Sequence, residues 1–141
     1  MGNLSENFNH KDFICHCPDC RGAYRIHLGL VGILEEIAVH FKKRPRIISG
    51  FYCESYLERL KREKKSYHAV GKAANIVIDG TPAAEVFKFA ETLEGVNGLG
   101  YYPEENMVHL DTRPPEKKET WVKEKGKYLP LNQEKRHQYG L

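Results

Sequence analysis

Long apolar runs are missing from this chain. No stretch approaches the roughly 18 apolar residues of a membrane-spanning helix, so the sequence predicts no membrane association. The N-terminus lacks the charged start and apolar core of a signal peptide, which predicts a protein that is cytoplasmic as synthesised. Release by lysis or transport in a phage-like particle would then bring it outside the cell. Internal repeats and low-complexity tracts are absent as well.

The composition is typical of one soluble globular domain. The 141 residues are 40% hydrophobic and 29% charged, and a chain of this length buries a core without additional cross-links. We expect a single domain over residues 1–141, with its motifs between about residues 12 and 121 and a polar extension over 122–141. The net charge is only +3, and the one dense basic run, residues 61–65, is interrupted by Glu63. That run predicts a solvated helix end rather than a nucleic-acid patch.

Hydrophobic spacing predicts helices mixed with short strands. Apolar residues recur at the helical period between Ile26 and Lys43, and Pro45 ends that segment. The other predicted elements are a strand over 46–51, a helix over 54–63, a strand over 73–80, a helix capped by Thr81 with Pro82 at its first position, and a hairpin of strands 98–102 and 107–111. No clear element is predicted beyond Trp121. The mixture predicts an α+β fold, with a small antiparallel sheet packed against helices.

Four cysteines are enough for one tetrahedral structural zinc site. Cys15, Cys17 and Cys20 lie in the stretch CHCPDC, and Cys53 follows the strand predicted over 46–51. Only Cys17 and Cys20 have the CxxC spacing of a zinc knuckle. The four residues therefore predict either a structural metal site or a disulfide, such as Cys15–Cys53 or Cys20–Cys53, and buried thiols are the third alternative.

Two of the seven histidines lie in suggestive surroundings. His68 lies in a loop of small residues before a strand. His109 is flanked by apolar residues and shares one face of its predicted strand with Asp111. The arrangement is compatible with a metal site supplied by a loop and a strand, although histidines satisfied within the core are the alternative.

The order of the motifs gives the chain a family resemblance. Three stretches carry it: SGFYCESYLERL, SYHAVGKAANIVIDG and GLGYYPEENMVHLDTRP, with Trp121 after them. Together they resemble the D-alanyl-D-alanine carboxypeptidase-like zinc peptidases, a superfamily shared by peptidoglycan endopeptidases, phage endolysins and the hedgehog signalling domain. The resemblance implies a hedgehog/DD-peptidase-like fold, a zinc cofactor and a peptidoglycan stem peptide as substrate.

In that family a Ser-x-His-x-x-Gly-x-Ala-x-Asp loop and a later His-x-Asp strand supply a zinc site of two histidines and one aspartate. The first motif falls on residues 66–75 and implies Ser66 as a substrate contact and His68 as a zinc ligand. The second implies His109 as a zinc ligand, with Asp111 as the general base or as the partner that holds the His109 ring. Three protein ligands leave the fourth zinc position to water, as catalysis requires.

Three positions depart from the family pattern. Asn75 stands in place of the aspartate ligand, and its amide oxygen can reach a metal but carries no charge. Tyr52 stands where members carry an arginine, and it offers a substrate one hydrogen bond instead of a charged fork. Asn106 stands where many members place an acidic base, which leaves Glu104 and Glu105 in the same turn as alternatives.

The sequence leaves three functions open. The first is a zinc-dependent peptidase acting on peptidoglycan stem peptides, with His68, Asn75 and His109 on the metal. The second is a peptidase fold without catalysis that serves as a binding or structural module, for example as a phage or particle component. The third is a cysteine-based zinc module that binds DNA or RNA, and it predicts binding that weakens steeply with salt.

Overall fold

The helices and strands of the protein follow its hydrophobic pattern. The computed structural model describes residues 2–18, 20–53, 56 and 67–141. The elements with described bounds are α1 (Leu28–Phe41), β1 (Arg46–Ser49), β2 (Ala73–Val77), α2 (Ala83–Glu91), β3 (Gly98–Tyr102), β4 (Met107–Asp111), β5 (Glu119–Glu124), β6 (Lys127–Pro130) and α3 (Gln133–Tyr139). The α+β prediction is confirmed. The helix predicted over 54–63 falls, apart from Tyr56, outside the described residues. Within the described part, no helix is long and apolar enough to cross a bilayer.

The six strands form one sheet in the order β1-β2-β4-β3-β5-β6. Neighbouring strands are antiparallel except β3 and β5, which are parallel. The predicted hairpin is confirmed, since β3 and β4 begin and end at the expected residues. The parallel pair is an addition to the predicted antiparallel sheet. It arises because the connection over residues 112–118 passes the start of β3 before β5 begins.

One face of the sheet belongs to the hydrophobic core. Val108 and Leu110 of β4 lie in one buried cluster with Phe87 of α2. Burial of an aliphatic or aromatic side chain of this size contributes about 1.5–3 kcal/mol. Since neighbouring residues of a strand point to opposite faces, this anchoring turns His109 and Asp111 to the other face, as the sequence predicts.

The first turn of α2 is capped from a distance. The sequence predicts Thr81 as the N-cap, but the helix begins at Ala83 with Pro82 at the N-cap position, so that prediction is wrong by one residue. Instead, the side-chain oxygen of Asn106 accepts a hydrogen bond from the Ala83 N–H at 2.8 Å. Asn106 thereby satisfies one of the N–H groups that a helix start leaves without an internal partner.

The polar extension is ordered, although the sequence predicts no element there. It contains the end of β5, all of β6, and α3. The turn between the two strands consists of Lys125 and Gly126, whose φ angles of 50° and 78° suit a two-residue hairpin turn. Val122 is fully buried and Leu131 is 8% exposed. The extension therefore adds a hairpin to the edge of the same sheet, beside β3.

Candidate functional site

Three adjacent strand pairings align a row of residues across the middle of the sheet. Asn75 of β2 pairs with His109 of β4, and His109 pairs with Gly100 of β3. Gly100 in turn pairs with Trp121 of β5 and leaves space for its indole, because a Cβ at Gly100 would lie 2.5 Å from Trp121 Nε1. The ring centroid of Trp121 lies 4.9 Å from that of His109. The sheet register thus delivers part of a polar group that we call the histidine site: His68, Asn75, His109 and Asp111.

His68 reaches this site from a short helical turn, Tyr67–Val70, just before β2. Its Nδ1 lies 2.6 Å from the carbonyl oxygen of Gly50, and a carbonyl accepts only from a protonated nitrogen. The ring of Tyr52 stacks on the imidazole at 4.4 Å, and the Tyr52 N–H donates to the His68 carbonyl at 3.2 Å. These contacts leave His68 only 3% exposed. A neutral ring protonated at Nδ1 carries its lone pair on Nε2.

His109 lies between two polar side chains. Its Nε2 is 2.8 Å from Asp111 Oδ2, and its Nδ1 is 2.9 Å from Asn75 Oδ1. A neutral imidazole has one N–H, and a carboxylate is a stronger acceptor than an amide. We therefore assign the proton to Nε2 and the lone pair to Nδ1. The His109 ring centroid lies 5.1 Å from that of His68, in an edge-to-face arrangement.

Asp111 is fully buried and is neutralised by an arginine. Arg113 donates from Nε to Oδ1 at 2.9 Å and from Nη2 to Oδ2 at 2.8 Å, a bidentate pair. Burial by itself raises the pKa of Asp111, but hydrogen bonds from His109 and Arg113 outweigh it and hold the pKa well below its ordinary value. Asp111 is therefore a stable carboxylate and a weak proton acceptor.

Sequence reasoning missed Arg113 as a site residue. Its guanidinium lies 4.6 Å from the ring centroid of Tyr67 and 5.2 Å from that of Trp121, within cation–π range. The available signal was its position two residues after Asp111, which is the same-face spacing of a strand. Arg113 also lines a cleft of about 350 Å³ together with Glu119, Trp121, Tyr128, Leu129 and Pro130. This cleft adjoins the histidine site through Trp121 and Arg113, whereas a larger cleft of about 630 Å³ contains none of the four histidine-site residues.

The part of the chain that builds the histidine site matches a known protein family. Residues 25–118, about two thirds of the chain, match the family described as peptidoglycan L,D-endopeptidase MepK. The chain belongs to this family. It is a zinc-dependent peptidoglycan endopeptidase family within the superfamily that the motifs resemble, so the resemblance is confirmed.

Curated members of the MepK family align with parts of the chain. It is 47% identical over 51 residues to the probable peptidoglycan L,D-endopeptidase MepK of Haemophilus influenzae, an alignment that covers 36% of this chain and 27% of that protein. It is 35% identical over 78 residues to the peptidoglycan L,D-endopeptidase MepK of Escherichia coli strain K12, covering 52% of this chain and 42% of that protein. The chain thus matches less than half the length of each of these relatives.

The structure brings most of the predicted site residues together. His68, Asn75, His109 and Asp111 are all buried in one connected group of contacts. Tyr52 is 4% exposed and packs on His68, and its predicted role in substrate binding stays a prediction. Ser66, the other predicted substrate contact, lies outside the described residues.

The turn between β3 and β4 directs its polar side chains elsewhere. Asn106, at the position where relatives in the superfamily place an acidic base, caps α2 through Ala83. Glu104 accepts a hydrogen bond from the Lys125 N–H at 2.9 Å. Glu105 pairs with Lys123 at 3.4 Å. Both alternative bases are therefore bonded to the β5–β6 hairpin rather than to the histidine site.

The histidine site offers donors that fit a zinc ion, with one weak member. Metal-binding histidines commonly donate from their second nitrogen to a backbone carbonyl or a carboxylate. His68 makes the first kind of contact with Gly50, and His109 makes the second with Asp111. The third donor is the neutral Asn75 oxygen, which binds zinc more weakly than a carboxylate does.

A second group of metal-ligand side chains lies on two loops. The four sulfur atoms all lie within 4.8 Å of one another, and we call this group the cysteine cluster: Cys15, Cys17, Cys20 and Cys53. Burial raises the pKa of the Cys15 thiol to about 12, which favours its protonated form without a cation. Three of the four cysteines precede residue 25, where the family match begins, and Cys53 lies within the matched residues 25–118.

Proposed function

We propose that the protein is a zinc-dependent peptidase that cleaves peptide bonds of peptidoglycan. The observation that supports this best is the pair of oriented histidines, whose rings lie 5.1 Å apart. A carbonyl fixes the protonated nitrogen of His68 and a carboxylate fixes that of His109, which leaves one lone pair on each ring for a cation. The substrate class follows from membership of the MepK family, and we extend the L,D-endopeptidase activity named for the relatives to this chain.

Each residue has a distinct role in this proposal. His68, Asn75 and His109 would hold the zinc ion, which when bound lowers the pKa of its water towards about 7 and polarises the scissile carbonyl. Asp111 keeps the His109 proton on Nε2, and Arg113 keeps Asp111 ionised. Asp111 therefore acts as a positioning residue rather than as the general base.

The cleft beside the histidine site provides a place for the peptide. Its walls include the Trp121 indole and the Tyr128 ring, two flat surfaces suited to an extended chain. Tyr128 is 53% exposed, so this wall is accessible from solvent. We place the stem peptide along this cleft, with its scissile bond towards His109.

A specific contact favours a second candidate, a peptidoglycan-binding module without catalysis. Asn75 Oδ1 lies 2.9 Å from His109 Nδ1, and an amide turned by 180° would satisfy this nitrogen through its NH₂ without any metal. A carboxylate at the same position would require a cation or a second proton. With Asn75 in place of an anionic ligand, a hydrogen bond to His109 would then occupy the nitrogen that otherwise binds the metal.

Cleavage of purified muropeptides by the zinc-loaded protein, followed by liquid chromatography and mass spectrometry, separates the two candidates. We expect products from the wild type and a loss of at least about 100-fold in His68→Ala and His109→Ala, since each change removes a zinc ligand. His137→Ala is the matched control, because it makes the same chemical change at an exposed position on α3.

The same preparations are tested for sedimentation with insoluble peptidoglycan. Wild-type protein that binds the polymer and releases no product would establish the binding module and overturn the peptidase. Protein that neither binds nor cleaves peptidoglycan would contradict both candidates.

A further inference from the structure

The cysteine cluster joins two segments that are distant in sequence. Cys15, Cys17 and Cys20 lie in one loop before α1, and Cys53 lies four residues after β1 ends. The recorded sulfur–sulfur distances are 3.2 Å for Cys17–Cys53, 3.4 Å for Cys17–Cys20 and 3.6 Å for Cys15–Cys53. The Cys17 sulfur is thus close to two other sulfurs, whereas a disulfide could join it to only one of them.

These distances match metal coordination better than disulfide bonding. A disulfide holds its two sulfurs at about 2.05 Å and involves two cysteines at a time. Four thiolates at about 2.3 Å from one zinc ion lie about 3.8 Å apart at the corners of a tetrahedron. The four sulfurs of the cluster all lie within 4.8 Å of one another, so they surround a common centre.

We propose that the cysteine cluster is a structural zinc site, separate from the histidine site. Four soft thiolate ligands select zinc over the hard cations magnesium and calcium. A full set of four protein ligands leaves no position for water, which makes such a site structural rather than catalytic. Cys15 and Cys17 are 2% and 7% exposed, so the ion would be shielded from solvent. His16, the neighbouring imidazole, is exposed and is not needed as a ligand.

The backbone around the cluster supports this geometry. The Cys15 N–H donates to the Ala23 carbonyl at 2.7 Å and closes the loop that carries three of the ligands. Arg21 and Gly22 reverse the chain there, with φ angles of 53° and 78°. The Cys53 N–H points at Cys15 Sγ, 3.5 Å away, and so can stabilise negative charge on that sulfur.

The zinc ion would clamp the N-terminal segment to the strand segment that orients His68. The Phe51 N–H donates to the Phe13 carbonyl at 2.9 Å, and a Cβ at Gly50 would lie 2.8 Å from Phe13 Cα, so the two backbones touch. The Gly50 carbonyl accepts from His68 Nδ1. Cys53, a ligand of this proposed zinc ion, therefore lies three residues from Gly50, whose carbonyl fixes the His68 tautomer. This link to catalysis rests on the proposed function.

Cobalt substitution tests the clamp without any reference to activity. The chain contains four cysteines, so every thiolate-to-cobalt charge-transfer band must come from this cluster. We expect the apoprotein to take up one equivalent of Co²⁺ with intense near-ultraviolet charge-transfer bands and the visible bands of a tetrahedral ion. A Cys17→Ser, Cys20→Ser double variant should lose the charge-transfer bands. A His68→Ala, His109→Ala double variant should keep them, which separates this site from the histidine site.

Alkylation without reductant provides a second measurement on the wild-type protein, in case the serine variant fails to fold. Zinc-loaded protein should protect its thiols, and a chelator should expose all four to the reagent. An intact mass lower by two hydrogens per bridge would show disulfides and overturn the proposal. Four thiols that react equally fast with and without zinc would overturn it as well. Failure of muropeptide cleavage alone, with the cobalt bands present, would contradict the peptidase and leave the clamp standing.

Discussion

The histidine site and the cysteine cluster present opposite solutions to holding a cation. Asn75, His109 and Asp111 of the histidine site lie on paired strands, and hydrogen bonds to Gly50, Asp111 and Arg113 hold the two imidazoles and the carboxylate. Its three donors are neutral, and its one buried carboxylate is already neutralised. The cysteine cluster lies on loops, and its sulfur atoms contact one another and backbone N–H groups, among them the N–H of Cys53.

This difference shows that order and metal affinity are separate properties. Hydrogen bonds to Gly50 and Asp111 orient the two imidazoles of the histidine site without any metal. The cysteine cluster can supply up to four negative charges, but burial opposes the ionised form of Cys15 until a cation arrives. We therefore expect the ordered site to bind zinc weakly and the loop site to bind it tightly.

The largest expected effect is the gap between the two zinc affinities. In a titration of the two-zinc protein with a chromophoric chelator, we expect one equivalent to leave at a chelator concentration at least about 1000-fold lower than the other, because structural thiolate sites bind zinc with apparent free energies of about 10–16 kcal/mol. His68→Ala should remove the weakly held equivalent, and Cys17→Ser the tightly held one. Two zinc equivalents that leave at the same chelator concentration would contradict the expected difference in affinity between the two sites.

The second effect concerns the charges that order the histidine site. Arg113→Met should lower the free energy of unfolding by about 3 kcal/mol, because it leaves the fully buried Asp111 without its countercharge. Arg46→Met is the matched control, since its pair with Asp79 has both side chains more than half exposed and should contribute about 0–1 kcal/mol. Urea denaturation of both variants measures the difference. Equal losses would show that burial of Asp111 does not govern the stability of the site.

The third effect tests the neutral ligand. Asn75→Asp should tighten zinc binding at the histidine site by about 100-fold, because it adds an anionic oxygen where the structure places an amide. Cleavage of muropeptides should rise in parallel if the proposed function holds. Competition with a zinc-binding dye gives the affinity. Asn106→Asp makes the same chemical change outside the site and should leave zinc affinity unchanged. An equal gain in both variants would mean that added negative charge, rather than ligation, is responsible.

Local patterns predicted much of this architecture. Apolar spacing predicted the helix that becomes α1, and two short strand segments around the turn 103–106 predicted the hairpin of β3 and β4. The alternation of side chains along a strand predicted the face that carries His109. The β6 strand and α3 escaped prediction because little of their surface is buried, so the polar extension shows no strong apolar period. The parallel β3–β5 pair is a tertiary feature that no local period encodes.

The residues of the histidine site were predictable where their types and spacing match a motif. His68, Asn75 and His109 were selected by motif, and the strand register then brings Asn75 opposite His109. The carbonyl of Gly50 could not be predicted, because it belongs to the backbone and carries no residue signature. The mutual approach of the four sulfurs was equally hidden, since it depends on how the loop before α1 packs on the segment after β1.

The smallest expected effect decides whether Asn106 belongs to the histidine site at all. Asn106 has a φ of 51° and caps α2, so Asn106→Ala loses a hydrogen-bonded cap and puts alanine in the left-handed region, which asparagine tolerates better. We expect a loss of about 2 kcal/mol in the free energy of unfolding. Asn106→Gly should cost about 1 kcal/mol, because glycine tolerates this φ and only the cap is lost. Asn132→Ala, which removes the cap of α3 at Lys135, should match the glycine variant in thermal unfolding. Zinc affinity at the histidine site should be the same in all three variants. A fall in zinc affinity or cleavage in the Asn106 variants alone would show that this turn belongs to the histidine site. Asn106 would then act on metal binding as well as on the stability of α2.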